Sequence, residues 1–274
     1  MTFLTVDQDK CKHDGICAAE CPSKVIVFRR DDAFPISAKG AERYCIKCGH
    51  CMAVCPAGAI TVSTLNTKNF VPVNQALLPG TEQVEHFLKA RRSIRTFKDK
   101  TIHHTILEKL LSIAAYAPSG HNKQPVNWLV IEDKNRVKSI AGFVIEWMRY
   151  MIESKPELAA SLDMKALCKA WDKGSDQICR DAPHIIIAHA PCAESSSQSA
   201  CTIALTYLEL AAFSLKLGAC WAGFVEAAAE GFPPLLEELA LPEGNKVYGA
   251  MLLGYPQYVY HKIPSRLSAQ VNWK

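Results

Sequence analysis

Cys45, Cys48, Cys51 and Cys55, with Pro56 directly after, form the run C-x2-C-x2-C-x3-C-P. Thiolates at this spacing suit the irons of a sulfide-bridged cluster. The first three sit on one tight loop and grip one cubane, and the fourth serves the other cluster of a two-cluster module. A second run is therefore required. Cys11, Asp14, Cys17 and Cys21, followed by Pro22, repeat the spacing with aspartate in the second position. The register assigns Cys11, Asp14, Cys17 and Cys55 to one cluster, and Cys45, Cys48, Cys51 and Cys21 to the other. A carboxylate oxygen is a harder, weaker partner for iron in a sulfide cubane than a thiolate. Three readings of Asp14 stay open. It ligates a [4Fe–4S] cluster, it marks the empty corner of a [3Fe–4S] cluster, or it only shapes the turn before Gly15.

A structural zinc site would need four ligands in pairs, usually with a longer loop between them, and has no use for two such regular runs. A disulfide framework would require secretion. The start, MTFLTVDQDK, lacks a basic stretch followed by an apolar one, so no signal peptide is expected. Both runs resemble those of bacterial two-cluster ferredoxins, and the resemblance covers about residues 1–63.

Length and composition set wider bounds. A chain of 274 residues with 49% hydrophobic content holds one large or two ordinary domains and a sizeable core. A net charge of +4 without any long basic run gives no reason to expect nucleic acid. Seven of the 12 cysteines lie in the two runs. Cys168, Cys179, Cys192, Cys201 and Cys220 read as small hydrophobes, which suits a reducing cytoplasm. The longest apolar stretch, about residues 200–225, is broken by Glu209, Lys216 and Gly218, so no membrane span is expected.

The elements that must position these residues follow from periodicity. Short strands are expected at 3–6, 25–29, 34–37 and 59–63, with a short helical piece after each cysteine run, as in an internal duplication. Residues 64–80 have no periodic apolar face and read as a linker. Helices are expected from Thr81 to about Arg91 and at 103–116, 133–152, 156–171 and 197–217. Strands are expected at 126–132, 184–190, 219–225 and 246–253. The mixture lacks strict strand–helix alternation, which suggests an α+β layer fold. Three parts result: 1–63 with the clusters, the linker 64–80, and 81–274.

Four short motifs stand in the third part. They are Arg91-Arg92-Ser93-Ile94-Arg95, the loop Pro118 to Pro125, Trp221-Ala222-Gly223-Phe224, and Pro264-Ser265-Arg266. In this order they resemble the FMN-dependent nitroreductase family over about residues 81–274. The resemblance implies an α+β nitroreductase-like domain behind a ferredoxin-like one, FMN, and a homodimer with shared sites. Guanidinium forks suit a dianionic phosphate, so Arg91, Arg95 and Arg266 are expected around it with the Ser93 hydroxyl. Arg92 and Ala222 are counted with the cofactor site. The loop of Pro118, Ser119, Gly120, Asn122 and Gln124 would come from the partner subunit and lie beside the flavin. Gly223 would present its backbone N–H to flavin N5. The family often has lysine where Pro264 stands, and Lys262 is a nearby substitute. No catalytic acid is assigned, since lone histidines such as His121 and His184 are usually structural.

The implied activity is a flavin oxidoreductase whose two iron–sulfur clusters exchange single electrons with FMN. The acceptors would be nitroaromatics, quinones or similar electron-poor small molecules. Two alternatives stay open. NAD(P)H is oxidised at the flavin while the clusters export electrons to a ferredoxin-type partner, or the protein is a carrier or sensor without turnover.

Overall fold

The computed structural model describes residues 2–29 and 33–274. The chain forms two compact units. One comprises Met1–Pro79 with Gly120–Lys123, the other Gly80–Ser119 with Gln124–Lys274.

The N-terminal unit contains β1 (Leu4–Val6), α1 (Ile16–Ala19), β2 (Ile26–Val27), β3 (Ile36–Ser37), α2 (Ala41–Tyr44), α3 (His50–Val54) and β4 (Ile60–Val62). β1 pairs with β4 and β2 with β3, both antiparallel, so the two ends of the duplication close on each other. The strands are shorter than expected. The helical pieces lie inside the cysteine runs rather than after them: α1 carries Cys17 and α3 carries Cys51. α2 was not expected; it begins at Gly40, which adopts the left-handed conformation. The small core contains Leu4, Val25, Ile26, Ile60 and Val62 together with Cys17, Cys21 and Cys51.

Residues 64–79, expected as a linker, go with this unit. Two 3-10 turns, Thr67–Asn69 and Gln75–Leu77, are each opened by an asparagine. The Asn66 and Asn74 side chains accept from the N–H two residues on. Such turns leave no periodic apolar trace. Leu65 packs on the core, and Phe70 covers Gly49, where a Cβ would stand 3.0 Å from the ring.

The larger unit contains α4 (Thr81–Ala90), α5 (His104–Ala114), β5 (Asn127–Ile131), α6 (Lys134–Ser154), α7 (Pro156–Ser161), α8 (Met164–Asp172), β6 (His184–Pro191), α9 (Ser197–Ser214), β7 (Gly218–Trp221), α10 (Gly223–Ala228), α11 (Pro233–Leu239) and β8 (Asn245–Gly254). Its sheet runs β5-β6-β8-β7, antiparallel throughout. Both faces are covered. Ile185, Ile187, Ala250 and Leu252 point to a core with α6, α8, α10 and α11. Ile186, Ala188, Met251 and Leu253 point to a second core with α5 and α9. Burial on both faces explains why β6 reads as an unbroken apolar run.

Three expectations need correction. The helix over 156–171 is two helices, α7 and α8, broken where Asp163 adopts φ 51°. The strand expected at 219–225 ends at Trp221, and Gly223 opens α10. α11, with Pro233 at its first turn, was not anticipated. Short apolar runs do not separate strand from buried helix by periodicity, and 219–228 is such a run. α9 is also less uniformly buried than its composition suggests. Ala200, Ala204, Leu205, Leu208 and Ala212 are buried, but Ser199, Thr202, Thr206 and Tyr207 are exposed.

The segment after α4 is lashed to the sheet edge. Ser93 forms a parallel bridge with Ala219, and the Ile94 N–H donates to the Ala219 carbonyl at 2.9 Å. Farther on, the Lys98 N–H donates to the Tyr255 carbonyl and the Gln257 N–H to the Thr96 carbonyl. Ile94 fits because residue 218 is glycine: a Cβ there would lie 2.6–2.8 Å from three Ile94 atoms. Gly218→Ala is therefore expected to destabilise the larger unit by about 1–3 kcal/mol through overpacking. Urea unfolding checks this. An unchanged midpoint would show that Ile94 moves aside freely.

Candidate functional site

The two cysteine runs fold alike. The residues directly before and after the second ligand position adopt positive φ in both runs: His13 55° and Gly15 70°, Lys47 54° and Gly49 76°. This backbone coils the loop around a centre and starts α1 or α3 at the next residue. A cavity in the N-terminal unit is lined by Cys21, Cys45, Cys48 and Cys51, with Phe3, Val25 and Ile26 among its apolar walls. That is one of the two ligand sets expected from the register. Burial, and next the charge of Cys21, pushes the Cys51 thiol up to about 11. The other set is also grouped in part: burial pushes the Cys17 thiol up, and Cys55 and Asp14 push it the same way. Backbone N–H groups already aim at sulfur, Lys47 at Cys45 Sγ (3.4 Å) and Ala59 at Cys55 Sγ (3.3 Å). Asp14 accepts from the Ile16 N–H at 3.2 Å. Among the described residues, no three His, Cys, Asp or Glu side chains converge as one metal ion would require. The thiols instead surround a cavity, and the set of soft donors fits a cluster.

In the larger unit, a cleft is lined by Leu88, Lys89, Arg91, Arg92, Ile263, Pro264, Ser265 and Arg266. It unites Arg91, Arg92 and Arg266 across 175 residues of sequence (266 − 91). Arg92 donates to the Lys89 carbonyl, while its Nε is buried and has no partner. A buried donor without an acceptor costs about 1–3 kcal/mol, so this N–H fits a ligand anion. Arg95 does not line the cleft. Its charge and that of Arg180 act at Cys220, whose thiol burial pushes up and these cations pull down. Ser93 stands at the sheet edge beside Ala219. Lys262 is not among the lining residues; the additional cation there is Lys89.

The other expected residues lie elsewhere. Pro118, Ser119 and Gln124 line a second groove with Ala114, Ala117, Trp128, Ala200 and Ala204. The Ser119 hydroxyl accepts from the Gln124 N–H at 2.9 Å. His121, Asn122 and Gln124 all have positive φ, near 50°. Gly120 and Asn122 go with the N-terminal unit, where the Asn122 amide donates to the Ile46 and Lys47 carbonyls at 3.2 and 3.1 Å. Ala222 is buried, and a Cβ on Gly223 would meet open space.

Sequence reasoning missed two residues. Glu209, seen only as an interruption of an apolar stretch, pairs with Arg91 at 2.8 Å. Arg180 (φ 58°) sits on a turn tied by Asp176, which accepts from the N–H groups of Ile178, Cys179 and Asp181. An acid inside an apolar helix was the available signal for Glu209. For Arg180 there was none.

The nitroreductase family profile matches residues 88–255. The chain belongs to the nitroreductase family. A 4Fe–4S dicluster domain profile matches residues 9–71. This nitroreductase is thus an oxidoreductase with a ferredoxin-type domain. It is 28% identical over 177 residues to an Archaeoglobus fulgidus protein provisionally named NADH dehydrogenase/NAD(P)H nitroreductase, covering 64% of this chain and 87% of that one. It is 31% identical over 65 residues to a Methanocaldococcus jannaschii ferredoxin, covering 24% of this chain and 83% of that one. A Bacteroides fragilis nitroreductase crystallised with FMN shares the fold, with a TM-score of 0.58 and 22% identity, covering 71% of this chain and 100% of that one. No helix among the described residues is long and apolar enough to cross a membrane.

The crossed ligand sets make a test. Cys21→Ala should remove the cluster of Cys45, Cys48 and Cys51 and spare the other, while Cys55→Ala does the reverse. Iron and labile sulfide should fall by about half in each variant, with different surviving paramagnetic signals. The same surviving signal in both would refute the assignment.

Proposed function

We propose that the chain is an FMN oxidoreductase whose two iron–sulfur clusters exchange single electrons with the flavin, reducing nitroaromatic, quinone or similar electron-poor small molecules. The observation that carries the flavin reading is a cleft walled by Lys89, Arg91, Arg92 and Arg266, of which Arg92 also keeps a buried, unpartnered Nε. When bound, FMN collects two single electrons and delivers them as a hydride equivalent. Arg91, Arg92 and Arg266 hold the phosphate, with Ser93 and Arg95 farther along the same segment toward Cys220. Ala222 and Gly223 offer the open backbone at the flavin ring.

The site is completed by a second copy. Pro118, Ser119 and Gln124 share no lining with the basic cleft, which suits a loop serving the partner's flavin. The exposed Tyr258, Val259, Leu267 and Trp273 of the C-terminal arm call for an apolar cover. Obligate homodimers commonly bury more than about 2,000 Å². The reducing cytoplasm suits a chain whose cysteines are unpaired.

Reduced ferredoxin, NADH and NADPH, each offered with a nitroaromatic, test the reading. Turnover with reduced ferredoxin and a flavin-plus-cluster spectrum support it. Turnover with NAD(P)H together with reduction of the clusters by it favours the reverse flow, and the archaeal relative's name also favours NAD(P)H as donor. A stable FMN-loaded monomer in sedimentation would refute the shared site. Arg266→Ala should weaken FMN roughly tenfold or more, since a charge-assisted hydrogen bond contributes about 1.5–3 kcal/mol. Flavin retained unchanged through dialysis would exclude Arg266 from the phosphate site.

Asp14 is proposed to face the most labile iron. His13–Gly15 repeat the backbone of Lys47–Gly49, so Asp14 stands where Cys48 stands in the other loop. Its hydrogen bond to Ile16 fixes the carboxylate without occupying both oxygens. Paramagnetic resonance before and after mild ferricyanide oxidation should show a [3Fe–4S] signal in the parent and none in Asp14→Cys. Identical signals and iron retention in both proteins would leave Asp14 with no role at the metal.

A further inference from the structure

Glu209 is a carboxylate in the apolar helix α9, and only 7% of it is exposed. It meets Arg91 because α4 and α9 pack antiparallel. Phe87 contacts Phe213 with ring centroids 5.1 Å apart. Four residues further along α4, and four back along α9, Arg91 Nη1 donates to Glu209 Oε1 at 2.8 Å. The indole of Trp221 on β7 lies near enough to favour the charged carboxylate as well. Arg91 has a second side: its side chain is 24% exposed and lines the cleft. No carboxylate lines that cleft, so Glu209 is an anion set behind its cations.

We infer that Glu209 is a positioning residue for the cofactor phosphate, holding Arg91 at the cleft wall without touching the ligand. This deepens the proposed flavin reading and rests on it. A guanidinium offers five N–H donors in a rigid fork. Binding one edge to a fixed carboxylate removes the rotamer freedom of the arm and aims the remaining donors outward. The carboxylate also offsets repulsion among Lys89, Arg91, Arg92 and Arg266 before any anion arrives. A direct ligand contact for Glu209 would be repulsive, and its place behind Arg91 avoids that.

The test compares FMN with riboflavin, which has the ring and ribityl chain but no phosphate. Each is titrated into flavin-free protein by fluorescence quenching. Glu209→Gln keeps the shape and an acceptor oxygen but loses the charge. It should weaken FMN roughly tenfold and leave riboflavin unchanged. Glu209→Asp, which keeps the charge, should recover part of the loss. The double variant Glu209→Gln/Arg91→Ala should bind FMN no worse than Arg91→Ala alone, because both changes remove one device. Equal losses for FMN and riboflavin would mean that Glu209 only supports the fold, and would overturn the inference. So would unchanged FMN affinity in Glu209→Gln while Arg266→Ala loses FMN. If Arg266→Ala and Arg92→Ala also keep FMN, the flavin-phosphate reading of the cleft falls first. Should Glu209→Gln fail to fold, Glu209→Asp and Arg91→Lys carry the same comparison.

Discussion

The larger unit is organised around one buried ion pair. An ionised carboxylate in an apolar helix is several kcal/mol unfavourable unless a cation meets it in good geometry. Glu209 therefore constrains where α4 ends: Arg91 must arrive opposite it, in the register that Phe87 and Phe213 set. Burial raises the Glu209 carboxyl above its ordinary value, and Arg91 offsets only part of that rise. Once Arg91 is placed, Ser93 and Ile94 reach the free edge of β7. The order of cationic side chains along this segment, some toward the cleft and Arg95 toward Cys220, follows from that anchoring.

The N-terminal unit is governed by a different constraint. Its strands are two or three residues long and its core is small. Units of this size rarely gain enough stability from apolar burial alone and commonly rely on metals. Cys17, Cys21 and Cys51 are part of that core. With a thiol near 11, Cys51 stays neutral at ordinary pH in the absence of iron. Ligation removes that proton, so cluster assembly, folding and pH are linked here.

The cluster-binding motif was legible in the sequence because it is local: both runs lie within 45 positions (11 to 55), and their regular spacing marks a dicluster domain. The α+β character and most element centres were legible from periodicity. What escaped was long-range or short. Glu209 and Arg91 are 118 positions apart, and no local pattern couples them. α10 and α11 are too short for their apolar faces to show a period. Residues 64–80 read as a linker because their asparagine-opened turns carry no apolar period, although Leu65 packs on the small core and Phe70 covers Gly49. The Arg91-Arg92-Ser93 motif was visible, but which of its arginines face one cleft was not. Residues 91–95 lie outside any helix or strand, so no period sorts their side chains, and only the docking of this segment on β7 decides which of them line the cleft.

Two buried side-chain nitrogens without partners, Arg92 Nε and His184 Nδ1, mark the contrast between a site and a scaffold. Arg92 lines the basic cleft, with its Nε buried behind the wall. His184 is 1% exposed in the sheet, and its Nε2 accepts from the Ile102 N–H at 2.7 Å. That bond places the proton on Nδ1. The Glu132 carbonyl lies toward this proton without reaching bonding geometry. Burial holds the ring below its ordinary range, so it stays neutral. A neutral imidazole sealed from solvent and used to tether the start of α5 is a poor proton donor for any substrate. The same unmet hydrogen bond thus has opposite meanings. In the sheet it is a tolerated cost of fixing a helix, and beside the cleft it belongs to a side chain whose neighbours are cations.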